Sequence, residues 1–153
     1  MKRFECLKLL FDKMTQDVIV VGNVGDTATA MLTYRPSDAN VYSVNLGSCS
    51  AMGLGLALGL PRRRVVVLDG DGNLLLNLAV LADIAREAPE NLAIIVQDNE
   101  VYGAAGNMPS ATAGPADLAG LAKSAGIKRT GTIRDLGDFE NHVFLPLFII
   151  LPS

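Results

Sequence analysis

Residues 64–103 read RVVVLDGDGNLLLNLAVLADIAREAPENLAIIVQDNEVYG. Val65-Val66-Val67-Leu68 is an apolar, β-branched run, the pattern of a strand buried on both faces. Asp69-Gly70-Asp71-Gly72 follows. An apolar-periodic segment comes next, expected as one helix from Asn73 to Arg86 with Leu74, Leu75, Leu78, Leu81, Ala82 and Ala85 on its buried side. A second buried strand runs from Leu92 to Val96 and ends in Gln97-Asp98-Asn99. Strand, turn, helix and strand in this order predict an α/β chain, a single doubly wound, mostly parallel sheet. Two strand ends then bring Asp71 and Asn99 beside the N-terminus of one helix. The carboxyl edge of such a sheet is where ligands bind.

Magnesium wants octahedral oxygen ligands and commonly shares its shell between a protein and substrate phosphates. Asp71 offers a carboxylate oxygen and Asn99 an amide oxygen, and a backbone carbonyl just after Asn99 completes the protein's share. Gly70 and Gly72 allow the backbone to approach a phosphate closely. The free N–H groups opening the helix favour an anion there. A tight turn carrying a surface acid is the plain alternative for Gly-Asp-Gly taken alone. The flanking strands and Asn99 at the next strand end weigh against it.

Gly70-Asp71-Gly72 followed by Asp98-Asn99-Glu100-Val101-Tyr102-Gly103 resembles the diphosphate-binding domain of thiamine diphosphate enzymes. In that family a GDG turn is followed by Asn-Asn. Here Asp98 replaces the first Asn, and the ligand position, Asn99, is kept. The segments DGDGNLLLNL and DNEVYG, with Gly53-Leu54-Gly55-Leu56-Ala57-Leu58 upstream, are most similar to the β subunit of sulfopyruvate decarboxylase and the C-terminal half of phosphonopyruvate decarboxylase. The resemblance covers roughly residues 1–135 and implies thiamine diphosphate and magnesium as cofactors. The metal would take Asp71, Asn99 and the carbonyl of Val101. Leu46, Gly47, Gly70, Asp71, Gly72, Asn73, Asn99, Val101, Tyr102 and Gly103 would line the cofactor. By the same resemblance Leu46 would be the apolar wedge beneath the cofactor, with Met52 the rival if the register slips. A plain core leucine is the bland alternative for Leu46.

With 153 residues, half of them hydrophobic, the chain has the size of one domain, taken as residues 1–153. Its longest strongly apolar candidate, Met52 to Leu60, is far short of the ~20 residues of a membrane span. Lys2-Arg3 and the charged segment after them do not read as a signal peptide. Cys6 and Cys49 lack metal or disulfide-framework spacing and suggest a reduced, cytoplasmic setting. A net charge of −3 gives no reason to expect nucleic acid or an anionic membrane surface.

From the start, Phe4, Leu7, Leu10, Phe11 and Met14 mark a docking helix. Asp17 to Val21 is a short strand. Gly22-Asn23-Val24-Gly25-Asp26 leads into a helix, Thr27 to Thr33, without the G-x-G-x-x-G spacing of a dinucleotide fingerprint. By resemblance Gly22 and Asn23 would face the active site, although a plain structural turn is the better reading of them. Val41 to Val44 is a strand, Ser50 to Leu60 a helix stopped by Pro61, and Arg62-Arg63-Arg64 a solvated cap at the edge away from Asp71. Asn73 is expected to cap the following helix, and Asn77 to point towards the cofactor edge. The loop from Ala104 to Gly114 is too long for a simple connection. Its Ala104-Ala105 and Asn107-Met108 depart from the family's hydroxyl and amide residues, which puts substrate contact from the loop in doubt. Asp117 to Ala125 is a helix, Thr130 to Ile133 a strand, and the apolar tail from His142 to Ser153 a last strand.

In the resembled enzymes a glutamate that activates the cofactor lies on a separate pyrimidine-binding domain. No second α/β domain is read in this sequence, so no catalytic residue is assigned to it, and His142 is given no role. The resemblance therefore implies a diphosphate-binding β subunit of a 2-oxo acid decarboxylase, a lyase acting on sulfopyruvate or phosphonopyruvate. It would work within an oligomer beside a pyrimidine-binding α subunit. The alternatives are a ligase component of the acetolactate synthase type and a non-catalytic, orphan cofactor-binding domain.

Overall fold

The computed structural model describes residues 3–142 and 148–152. The strands are β1 (Ile19–Asn23), β2 (Val41–Val44), β3 (Val65–Gly70), β4 (Leu92–Asp98), β5 (Val101–Tyr102), β6 (Met108–Pro109), β7 (Thr130–Thr132) and β8 (Phe148–Pro152). The helices are α1 (Arg3–Lys13), α2 (Asp26–Tyr34), α3 (Cys49–Gly59), α4 (Asp71–Leu75), α5 (Val80–Glu87), α6 (Leu118–Ala125) and α7 (Leu136–His142). Six strands form one sheet in the order β2-β1-β3-β4-β8-β7, and every pairing in it is parallel. β5 and β6 make a separate antiparallel hairpin.

Side chains alternate across a strand, and the core divides accordingly. Val21, Val65, Val67, Ile94, Val96 and Ile150 face one way, onto Leu54 and Ala57 of α3, Leu81 and Ile84 of α5 and Leu118 of α6. Val20, Val66, Leu68, Ile95 and Ile149 face the other way, onto Leu7 and Leu10 of α1, Met31 of α2 and Phe139 of α7. Both faces are covered, so the strands read as continuous apolar runs, and the architecture is the doubly wound α/β sheet expected. α3 lies close against β3: a Cβ on Gly53 would fall 2.0 Å from Cγ2 of Val67.

The structure differs from the sequence expectations in several places. The single helix from Asn73 to Arg86 is two, α4 and α5, joined by turns in which Leu76, Asn77 and Val80 donate to carbonyls three residues back. Ala82 is exposed, because the stripe that α5 buries is Val80, Leu81 and Ile84. β4 continues through Gln97 and Asp98, whose pairing with Leu151 and Pro152 extends the ladder past Val96. α7 was not anticipated; the side chain of Asp135 receives the Asp138 N–H at its start. The apolar tail does supply the final strand, β8. Its Val143-Phe144-Leu145 portion lies outside the described residues.

Candidate functional site

β2 lies on one side of β1 and β3 on the other, while α2 and α3 cover opposite faces of the sheet. The winding reverses between β1 and β3, so the connections leaving their carboxyl ends run to opposite faces of the sheet and a crevice opens between them. A cavity of about 450 Å³ opens there, lined by Asn23, Leu46, the Gly70–Asn73 turn, Gln97, Asn99 and the Val101–Ala105 segment, among others. Another cavity, of about 510 Å³, lies beside Leu92 and Phe148 at the amino ends of β4 and β8. None of the expected site residues line it.

Asp71 opens α4 and is 2% exposed. Its Oδ2 accepts from Ser110 Oγ at 2.6 Å. Among the described residues no side-chain donor engages its Oδ1. The Thr112 hydroxyl lies 2.8 Å from Asp98 Oδ1 and 3.2 Å from Asp71 Oδ2, and its single hydrogen serves one of them at a time. A buried carboxylate needs partners for its charge, and here one oxygen is served while the other is open. Among the described residues no cluster of three or more His, Cys, Asp or Glu side chains could enclose a metal. A cation at Asp71 would have to draw on amide, carbonyl and ligand oxygens, as magnesium does.

Asn99 Oδ1 accepts the Val101 N–H at 3.3 Å, a turn that brings the chain round into the hairpin. Glu100 takes φ +63° within it. Glu100 O accepts from Ser110 N, and Tyr102 pairs with Met108. The alternation of an antiparallel ladder then leaves the Val101 carbonyl pointing away from β6. Tyr102 lies over Gly72, where a Cβ would come within 2.5 Å of the ring.

Behind this turn Asp69, 1% exposed, accepts from Ser50 Oγ at 2.6 Å, from the Gly70 N–H at 2.9 Å and from the Asn73 amide. Burial raises its carboxyl pKa above the ordinary value, against those three donors, which favour the charged form. The Asn73 Oδ1 accepts the Gly47 N–H at 2.7 Å, and Asn77 donates to the Gly47 carbonyl at 3.0 Å. Asn73 makes no side-chain cap, contrary to expectation. Asn77 holds the Gly47 backbone and is not among the residues lining the cavity.

The loop so held presents Leu46, 55% exposed, to the cavity. It is not a core leucine. Met52, also exposed, does not line the cavity. Asn23 lines it, whereas Gly22 is buried under Met31, whose Sδ would lie 2.2 Å from an added Cβ. Asn23 and Gln97 both line the cavity, and among the described residues Asn23 Oδ1 and Gln97 Nε2 are buried amide atoms without a partner. An orphan acceptor and an orphan donor on residues that line one space are what a polar ligand would satisfy. Ser110, Thr112, Asp69 and Gln97 were not singled out from sequence. The signal for the first two was a hydroxyl pair within a loop too long to be a mere connector.

The family described as thiamine pyrophosphate enzyme, C-terminal TPP binding domain, matches residues 20–143, and the chain belongs to it. More particularly, it is 33% identical over 140 residues to the sulfopyruvate decarboxylase subunit beta of Methanocaldococcus jannaschii, covering 91% of this chain and 73% of that one. It is also 33% identical over 140 residues to the phosphonopyruvate decarboxylase of Streptomyces viridochromogenes, covering 91% of this chain but 35% of that enzyme. A solved structure of a candidate thiamin diphosphate-dependent enzyme from Mycobacterium smegmatis superposes with a TM-score of 0.83 at 19% identity, a likeness of fold alone. It covers 99% of this chain and 31% of that one, so the chain spans about a third of that structure. Among the described residues no helix is long and apolar enough to cross a membrane.

Proposed function

We propose that this chain is the diphosphate-binding β subunit of a thiamine diphosphate- and magnesium-dependent 2-oxo acid decarboxylase. It acts with a separate pyrimidine-binding subunit, on sulfopyruvate first and phosphonopyruvate second. The observation that carries the proposal is the half-satisfied carboxylate of Asp71 in a cavity with two orphan amide atoms. These residues fit the cofactor: Asp71 Oδ1, the Asn99 amide and the Val101 carbonyl supply hard oxygens for magnesium. Gly70 and Gly72 would let the diphosphate approach the backbone, Asn73, Tyr102 and Gly103 shape the walls, and Gly47, which does not itself line the cavity, is the held point of the loop that presents Leu46. Leu46 would support the cofactor's organic part.

Thiamine diphosphate, when bound, supplies the electron sink for the pair released as carbon dioxide leaves a 2-oxo acid. This chain's share is to bind and orient that group and to exclude water around it. The sulfonated or phosphonated substrate rests on the named activities of the relatives, as does the partner, which their "subunit beta" names imply. Leu46, Leu76 and Met108, each more than half exposed, form apolar surface around or beside the cavity that a second subunit would cover.

The test is calorimetric titration of the chain with thiamine diphosphate, with and without magnesium. Binding should require the metal and be lost in Asp71→Ala and in Asn99→Ala. Unchanged affinity in both variants would remove the metal assignment.

A further inference from the structure

Resting on the reading that Asp71 binds a magnesium diphosphate, we infer that Ser110 and Thr112 are positioning residues that fix the rotation of that carboxylate and so set the preference for magnesium. Both hydroxyls lie against one oxygen, Oδ2, at 2.6 and 3.2 Å, Ser110 donating to it and the single Thr112 hydrogen shared between it and Asp98, and leave Oδ1 to face a cation. They are buried, 5% and 9% exposed, and fixed relative to one another: their hydroxyls are 2.8 Å apart, and Ser110 Oγ accepts the Thr112 N–H at 3.3 Å. Thr112 also holds Asp98 Oδ1 at 2.8 Å, tying the end of β4 to the same carboxylate. The Ser110 N–H donates to the Glu100 carbonyl at 2.8 Å. One short piece of backbone therefore orients both the Asp71 carboxylate and the segment that carries the Val101 carbonyl.

The consequence is chemical. A carboxylate with one oxygen held by a hydroxyl presents the other as the favoured ligand for a metal. Magnesium accepts such monodentate ligands at about 2.0–2.1 Å in a strict octahedron, whereas calcium tolerates longer, irregular and bidentate shells. A carboxylate released from its hydroxyls is free to chelate with both oxygens. Partners of a metal ligand commonly change metal affinity by about 10–100-fold when removed.

The experiment titrates the full chain with inorganic diphosphate in magnesium or in calcium chloride, by calorimetry, for the unaltered chain, Thr112→Val and Ser110→Ala/Thr112→Val. Magnesium-supported affinity should fall about 10–100-fold in the double variant, and calcium-supported affinity distinctly less, so that the magnesium preference shrinks. Thr112→Ser, which keeps the hydroxyl, should retain most of it. Equal losses with both metals would mean that the hydroxyls only anchor the loop, and no loss would mean that they do not orient Asp71. Either result overturns the inference. If the double variant does not fold, the single Thr112→Val decides by the same ratio. An unaltered chain that binds no diphosphate with either metal would remove the cofactor reading itself, and this inference with it.

Discussion

Asn73 accepts the Gly47 N–H at 2.7 Å across 26 residues of sequence. Asn77 takes the Gly47 carbonyl at 3.0 Å, so both polar groups of this residue are held by the same stretch of chain. Asp69, an acceptor only when ionised, draws the Asn73 amide hydrogens to itself and turns the Asn73 oxygen towards Gly47. Gly47 sits at φ +77°, a conformation that side chains rarely adopt. Asn77→Asp, which replaces the donor by an acceptor facing a carbonyl, should free the Leu46–Ser48 loop. Amide hydrogen exchange at Gly47 and Ser48 should accelerate about tenfold or more, one power of ten for each ~1.4 kcal/mol lost, while amides in β3 keep their protection.

Gly72→Ala should destabilise the protein by about 1–3 kcal/mol, since the new methyl lands 2.5 Å from Cδ1 of Tyr102 on a buried turn. Thermal melting of Gly72→Ala, Tyr102→Ala and the double variant reads the coupling directly. The clash predicts that Gly72→Ala costs clearly less once the ring is gone.

Two glycines of α3 should respond in opposite directions. Gly53→Ala drives a methyl to within 2.0 Å of Cγ2 of Val67, a fully buried and rotationally stiff side chain, and should lower the melting temperature. Gly55 is exposed with nothing near its missing Cβ. Gly55→Ala should therefore stabilise the helix by about 0.5–1 kcal/mol, or about 1–4 °C.

Neither cysteine should react in the folded protein. Cys49 is fully buried and Cys6 is 2% exposed. Burial raises both thiol pKa values above their ordinary range. At pH 8 an alkylating reagent should label neither thiol in the native state and both after unfolding, with mass spectrometry as the readout. Rapid native labelling at Cys49 would contradict the packing of α3 on β1 and β3.

β3 and β4 were legible because a strand covered on both faces must be apolar throughout, and Val65–Leu68 and Leu92–Val96 have that pattern. The convergence of Asp71 and Asn99 on one cavity was legible because the strand ends of such sheets open on a common edge. The break between α4 and α5 was not: the chain from Leu74 to Leu78 is apolar enough for one helix. The contact accompanying the break, from Asn77 to Gly47, spans 30 residues of sequence. α7 escaped because, among the described residues, only Phe139 anchors it deeply, although Asp135 ahead of it was a readable cap. Ser110 and Thr112 escaped because local sequence gives no sign that a hairpin returns them to an aspartate some 40 residues earlier.

The order in which the sheet is wound bears on how the chain is made. β8 lies between β4 and β7, so β7 meets the rest of the sheet only through a strand that follows it in the chain. β4 itself waits more than 50 residues for Phe148 to arrive opposite Ile94. On a ribosome delivering residues from the N-terminus, Ile94, Ile95 and Val96 would emerge with one flank unpaired while α6, β7 and α7 are still being synthesised. Such late, non-local closure slows folding and prolongs the exposure of an unpaired apolar edge. β8 is thus a latch for nascent chains, and substitutions at Phe148 and Ile149, at the start of that strand, should weigh chiefly on the yield of folded protein.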